Sequence, residues 1–346
     1  MYGLDDYKLD NYRLNAKKYV SGGQIDDTKL STINNKGKGI AIWNKTDTFI
    51  DNRVHSVTFS DEGEVFVSSN NNSGVTLIKC DKNGANRQVL FDTVPNISDI
   101  FFENSEKRLY AITNGGTYLR KLDRDGRQIW SISSLGNMRR VVADSQYVYL
   151  TSTTGMFKIN NQTQSIIFSY TTYPSDGISV DVPNNRILLT SNYTSNSGYP
   201  QAYGLTLAGA LVWSGSFQGE GDYCKDVSVD GKGEACFLYT INANEIEKVT
   251  IRIYTISGGL RYRSSTRAHG AGRIVHDKSG YYATFTSYSG NPTVQKLDGL
   301  GSLVWSSSLY SGAYGIAADD GDIYVTSADN SRTISKLDGR VYYSIE

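Results

Sequence analysis

The strongest constraint on how this chain folds is that it repeats itself. A unit built on apolar-x-apolar-x-Asp, a turn and an aromatic-rich strand stands as VHSVTFSDEGEVFVSS from Val54 and ISDIFFENSEKRLYAIT from Ile97. It returns as MRRVVADSQYVYLTS from Met138, DGISVDVPNNRILLTS from Asp176 and CKDVSVDGKGEACFLYT from Cys224. Two further copies are AGRIVHDKSGYYATFTS from Ala271 and AYGIAADDGDIYVTS from Ala313. The starts differ by 43, 41, 38, 48, 47 and 42 residues.

Each copy continues in the same way. A third apolar stretch such as VTLIKCD or TYLRKLD leads through a Gly- or Asn-bearing turn to a fourth, such as RQIWSIS, ALVWSGS or SLVWSSS. Four short strands per period of about 40–45 residues mark a β-propeller blade. The expected fold is therefore all-β, a single seven-bladed propeller of four-stranded blades with a non-propeller N-terminal extension. First strands are expected near 54–60, 97–103, 138–144, 176–182, 224–230, 271–277 and 313–319.

The phrase LDRDGRQIW at Leu122–Trp130 recurs as LDGLGSLVW at 297–305 and, more loosely, as LTLAGALVW at 205–213. It reads as the hairpin between third and fourth strands, with Gly supplying positive φ. Trp130, Trp213 and Trp305, replaced elsewhere by Phe91, Phe168, Tyr262 and Tyr343, are expected to pack against the neighbouring blade. The phrase resembles the tryptophan-docking repeat of the pyrroloquinoline-quinone-type propellers. The resemblance covers residues 54–346, and it implies a fold rather than an activity.

Residues 1–38 carry no blade pattern. They are expected to form an N-terminal extension or attachment arm, with 39–346 as the propeller. GIAIWN at 39–44 reads like one more outer strand, expected to contribute to ring closure beside the C-terminal blade. The first residues, MYGLDDYKLD, lack the apolar core of a signal peptide, and no stretch approaches a membrane span. Synthesis in the cytoplasm without a signal peptide is the corresponding expectation. Lys+Arg and Asp+Glu are both 35, which gives no general attraction to nucleic acid or membrane. Cys80, Cys224 and Cys236 form no metal-spaced or disulfide pattern and read as buried small residues.

No HExxH, GxSxG, P-loop or Cys/His metal cluster is present. The vicinal Cys pair seen beside the quinone in many quinone dehydrogenases is also missing, so a dehydrogenase is set aside. No catalytic residue, metal or cofactor is expected. DKNG at 81–84 and DRDG at 123–126 read as hairpin turns, because the rest of a calcium loop is missing. Asp144, Asp181, Asp230, Asp277 and Asp319 end successive first strands and read as turn residues.

Binding is the better expectation. The longest irregular stretches, NYTSNSGYPQA (192–202), FQGEGDYCK (217–225) and INANEIEK (241–248), come from adjacent fourth and fifth blades. Candidate ligand-binding residues are Tyr173, Asp176, Asn192, Tyr193, Tyr199, Asp222, Tyr223, His269 and Arg273. Tyr beside Asn, Asp and Arg suits sugars, whose C–H faces stack on rings while their hydroxyls bond polar groups. In architecture the chain is similar to the propeller modules of Gram-positive phage tail and baseplate fibres. That likeness implies a non-enzymatic virion-surface protein that binds host-surface glycan or glycopolymer and joins other virion or assembly proteins through its extension. A protein-interaction scaffold, intracellular or inside a particle, and a carbohydrate-active hydrolase or lyase are the alternatives.

Overall fold

The computed structural model describes residues 44–45 and, between 54 and 345, the strands and most of their connections, with 96–191 described without a break. The chain is an all-β propeller of four-stranded antiparallel blades. Among the described residues there is no α-helix, only a 3₁₀ turn at Asn114–Gly116. The strands form six four-stranded sheets and one five-stranded sheet, each built on a four-stranded meander in chain order. We number the sheets one to seven along the chain.

The innermost strands are Val54–Phe59, Asp99–Glu103, Met138–Ala143, Ile178–Asp181, Tyr223–Val229, Gly270–Asp277 and Ala313–Ala318. They fall where the repeat places them. Each contacts the innermost strand of the next sheet, and Ala313–Ala318 contacts Val54–Phe59, which closes the ring.

No sheet buries both faces alone, so the core lies between sheets. Phe66 and Leu77 of sheet one pack with Ile100, Phe102 and Leu109 of sheet two. Cys236 and Leu238 of sheet five pack with Ile274 and Phe285 of sheet six. The same kind of cluster joins Val57 and Val65 to Ala317 and Tyr324 across the closing seam. Second strands are covered on both faces, which explains why RLYAIT and RILLT are nearly continuous apolar runs. All three cysteines are buried in these interfaces without a disulfide, and burial pushes the Cys80 thiol up to about 11.

The repeated phrase is a hairpin with two tasks. In LDRDGRQIW the Asp123 carboxylate accepts from the backbone N–H of Asp125 (2.9 Å) and of Arg127 (2.8 Å). Gly126 turns the chain at φ 84°, and a bulge at Ile129 follows, opposite Lys121 and Leu122. This glycine also meets the preceding sheet: a Cβ there would lie 2.8 Å from Leu90 Cβ. The equivalents Gly209 and Gly301 sit against Phe168 and Tyr262, the residues that replace Trp in sheets three and five. In sheet one the residue meeting this glycine is Leu90. Gly301→Ala is expected to destabilise by more than about 1 kcal/mol, since it adds strain at positive φ to a steric clash. A denaturant midpoint equal to wild type would show that the turn adapts.

The packing of the tryptophans is uneven. Trp130 is buried and its Nε1 donates to the Asn161 carbonyl at 3.2 Å, whereas Trp213 and Trp305 are half-buried. The aspartates that end first strands are turn residues where they are described. Asp144 accepts from Gln146 and Tyr147, Asp230 from Lys232 and Glu234, and Asp277 from Ser279. His276 lies against the Tyr281 ring, 4.7 Å between centroids.

The last sheet already has four strands of its own. Asn44–Lys45 adds a fifth, pairing parallel with the outer strand Val341–Ile345. Residues 39–43 and the 1–38 extension lie outside the described residues.

Candidate functional site

A polar constellation sits where the innermost strands begin. In sheets one, three, five, six and seven the first hairpin carries a bulge near its start, as between Met138 and Arg140 or Cys224 and Asp226. A bulge interrupts the strict alternation of faces and re-aims side chains. Aligning the copies gives two tiers at one end of the channel. His55, Ser98, Arg139, Asp176, Lys225, Gly272 and Tyr314 hold the rim register, and Ser56, Asp99, Arg140, Gly177, Asp226, Arg273 and Gly315 the inner one.

The inner tier carries a charge quartet. The Arg273 guanidinium of sheet six bonds the Asp99 carboxylate of sheet two, and Arg140 Nη1 of sheet three lies 3.7 Å from the same oxygen. Sheets two and six are not neighbours, so this contact crosses the channel axis. Arg140 also acts electrostatically on Asp226 of sheet five.

The carboxylates stitch adjacent sheets as well. Asp99 accepts from the N–H of Val141 and from Ser56 Oγ, both at 3.0 Å, and Asp226 accepts from the N–H of Ile274 at 3.0 Å. Neighbouring innermost strands share no ladder, so their inward amides need such acceptors. Gly177 makes this approach feasible: a Cβ there would stand 2.8 Å from the Asp226 carboxylate. Burial pushes both Asp99 and Asp226 up to about 6, with Arg140 the main opposing influence.

The rim tier is more exposed at Arg139 and Tyr314 than at Ser98, Asp176 and Lys225. Arg139 is half-exposed and its Nε lies 3.7 Å from the Asp176 carboxylate. Burial pushes the Lys225 ammonium down, against the pull of Asp176. Tyr173, in the connection leading to Asp176, packs on Tyr170 and Tyr203, and the Tyr203 hydroxyl donates to the Tyr173 carbonyl at 3.2 Å.

Of the candidate residues read from the sequence, the structure brings Asp176 to the rim and Arg273 to the inner tier, and it places Tyr173 half-buried in a tyrosine cluster. Tyr223 pairs with Thr240 at the start of its strand. Asn192, Tyr193, Tyr199, Asp222 and His269 lie outside the described residues. Sequence reasoning missed Asp99, Arg139, Arg140, Lys225 and Asp226. Their signal was a charge lodged between apolar residues at one register of the repeat, visible in ISDI, MRRV, CKDV and AGRI.

A second hollow lies at the opposite end of the first sheet, lined by Asp61, Glu62, Gly63, Asp81 and Lys82. Lys107 and Arg124 pair with Glu62 beside it.

Among solved structures the fold is similar to BamB from Moraxella catarrhalis, at 13% identity and TM-score 0.56 over 81% of this chain and 84% of that one. It is similar to the computationally designed Ika8 protein, at 12% identity and TM-score 0.58 over 85% and 86%. Hsv2 from Kluyvelomyces marxianus matches at 10% identity and TM-score 0.55 over 84% and 96%. These likenesses concern the fold alone. No protein-family model and no curated protein sequence matches the chain.

Proposed function

We propose that the chain is a non-enzymatic binding propeller, a phage virion protein of the tail or baseplate fibre type whose channel-mouth face meets host-surface glycan or glycopolymer. One observation carries this reading: the polar rim and the strands flanking the long irregular stretches share a face. In a four-stranded meander the second-to-third and fourth-to-first connections leave from the same end. Thr190, Ala202, Gly215, Tyr223, Ala243 and Ile246 are strand ends on that side, beside Asp176 and its cationic neighbours. On this reading the seven sheets are seven blades of the pyrroloquinoline-quinone type. The extension 1–38 attaches them to other virion or assembly proteins.

The test is adsorption of the purified protein to intact cells or wall polymer, compared with Tyr193→Ala/Tyr199→Ala/Tyr223→Ala. Binding weakened several-fold in the triple variant is expected. Equal binding removes these tyrosines from the site, and release of reducing sugar favours a hydrolase or lyase.

A second reading, an interaction scaffold, is favoured by a different feature. The outer strands expose Val89, Ile129, Ile167, Val212 and Val304 at matching positions in five sheets. Exposed apolar residues on sheet edges suit contact with another protein.

A further inference from the structure

The sheets follow one another in chain order, so each is joined to the next by a direct connection except sheet seven to sheet one. Sheet one begins at Val54 and sheet seven closes with Val341–Ile345. The seam between them is apolar: Val57, Val65 and Cys80 of sheet one meet Ala317 and Tyr324 of sheet seven. Two contacts reach over this seam. On the outside, Asn44–Lys45, which precede sheet one in the chain, pair with Val341–Ile345 of sheet seven. At the axis, Arg273 of sheet six bonds Asp99 of sheet two. The same carboxylate accepts from Ser56 Oγ of sheet one and from the Val141 amide of sheet three. One buried group thus ties the sheet before the seam pair to the three sheets after sheet seven.

We infer that the Arg273–Asp99 contact is an axial latch on the closing seam, and that the ring opens at this seam when the latch is released. Sheets six and seven are joined by the chain, as are sheets one and two, so parting seven from one draws six away from two. The latch must then break, and separating a buried ion pair is costly because each charge loses its partner before water reaches it. Proteins open locally at free energies that differ from one region to another. Here the interface without a chain connection is the one that the latch spans. Three buried thiols lie at different interfaces and report on each. Cys80 faces the closing seam, Cys224 packs with Leu188 and Ala202 between sheets four and five, and Cys236 packs with Ile274 and Phe285 between sheets five and six.

The experiment is iodoacetamide labelling of the folded full chain, with each cysteine followed by peptide mass spectrometry. In wild type Cys80 is expected to react before Cys224 and Cys236. This order needs no variant, and Cys80 reacting last would overturn the seam as the place of opening. Arg273→Gln should speed labelling of Cys80 at least about tenfold, the effect of one hydrogen bond to a charged group, and leave the other two thiols at their wild-type rates. Asp99→Asn removes the charge while keeping an oxygen acceptor for the Val141 amide, and it should give the same selective effect. An unchanged Cys80 rate in both variants overturns the latch. Equal acceleration at all three thiols also overturns it, since the contact would then support the whole fold and not this seam.

Discussion

Asp99→Ala is expected to destabilise the protein by about 3–5 kcal/mol, the usual cost of breaking a buried ion pair from one side. Asp99 is 2% exposed, and its carboxylate meets Arg273 across the channel, Arg140 beside it, the Val141 amide and Ser56 Oγ. Alanine leaves two guanidinium groups and an amide without this acceptor. Chemical denaturation at pH 7.5 measures the loss, and a change below about 1 kcal/mol would mean that water replaces the carboxylate.

The pH dependence gives the same site a second reading. Burial holds Asp99 and Asp226 at about 6, above the ordinary 3.8. Between about pH 4 and 6 the native state therefore binds more protons than the unfolded chain. These two groups contribute stability that is full below the unfolded value and is lost as pH rises through the folded one. Asp99→Asn, though less stable at pH 7.5, should lose part of this decline. Parallel curves of stability against pH for wild type and Asp99→Asn between pH 4 and 7.5 would show that the carboxyl titrates normally.

Trp130→Ala is expected to cost a similar amount, about 3–5 kcal/mol for removal of a large buried aromatic. The ring is 7% exposed between sheets two and three, packs with Tyr110 at 6.1 Å, and donates to the Asn161 carbonyl. Asn161 in turn accepts from the Tyr110 hydroxyl at 2.7 Å and from Lys121 Nζ at 2.9 Å, so the cavity opens beside a buried polar network. Trp213→Ala and Trp305→Ala should cost less, because those rings are half-buried. Denaturation midpoints of the three variants check the order. Equal losses would mean that the repeat position, and not burial, sets the energy.

Strand positions, the ring of inter-sheet cores and the glycine-turn hairpin were legible in the sequence because each is a local pattern copied many times. Alternation, turn residues and a period of about 40 residues are short-range properties, and repetition makes each copy evidence for the others. The turn role of Asp144, Asp230 and Asp277 was legible for the same reason. The uneven burial of the three tryptophans was not, since identical phrases meet different neighbouring sheets. The axial quartet was still less accessible. Asp99 and Arg273 are 174 residues apart and carry no mutual signal along the chain. What joins them is closure of the ring, which turns one register of every repeat into one small volume around an axis. Charges that are isolated among apolar residues in each copy become counter-ions only there, in the assembled circle.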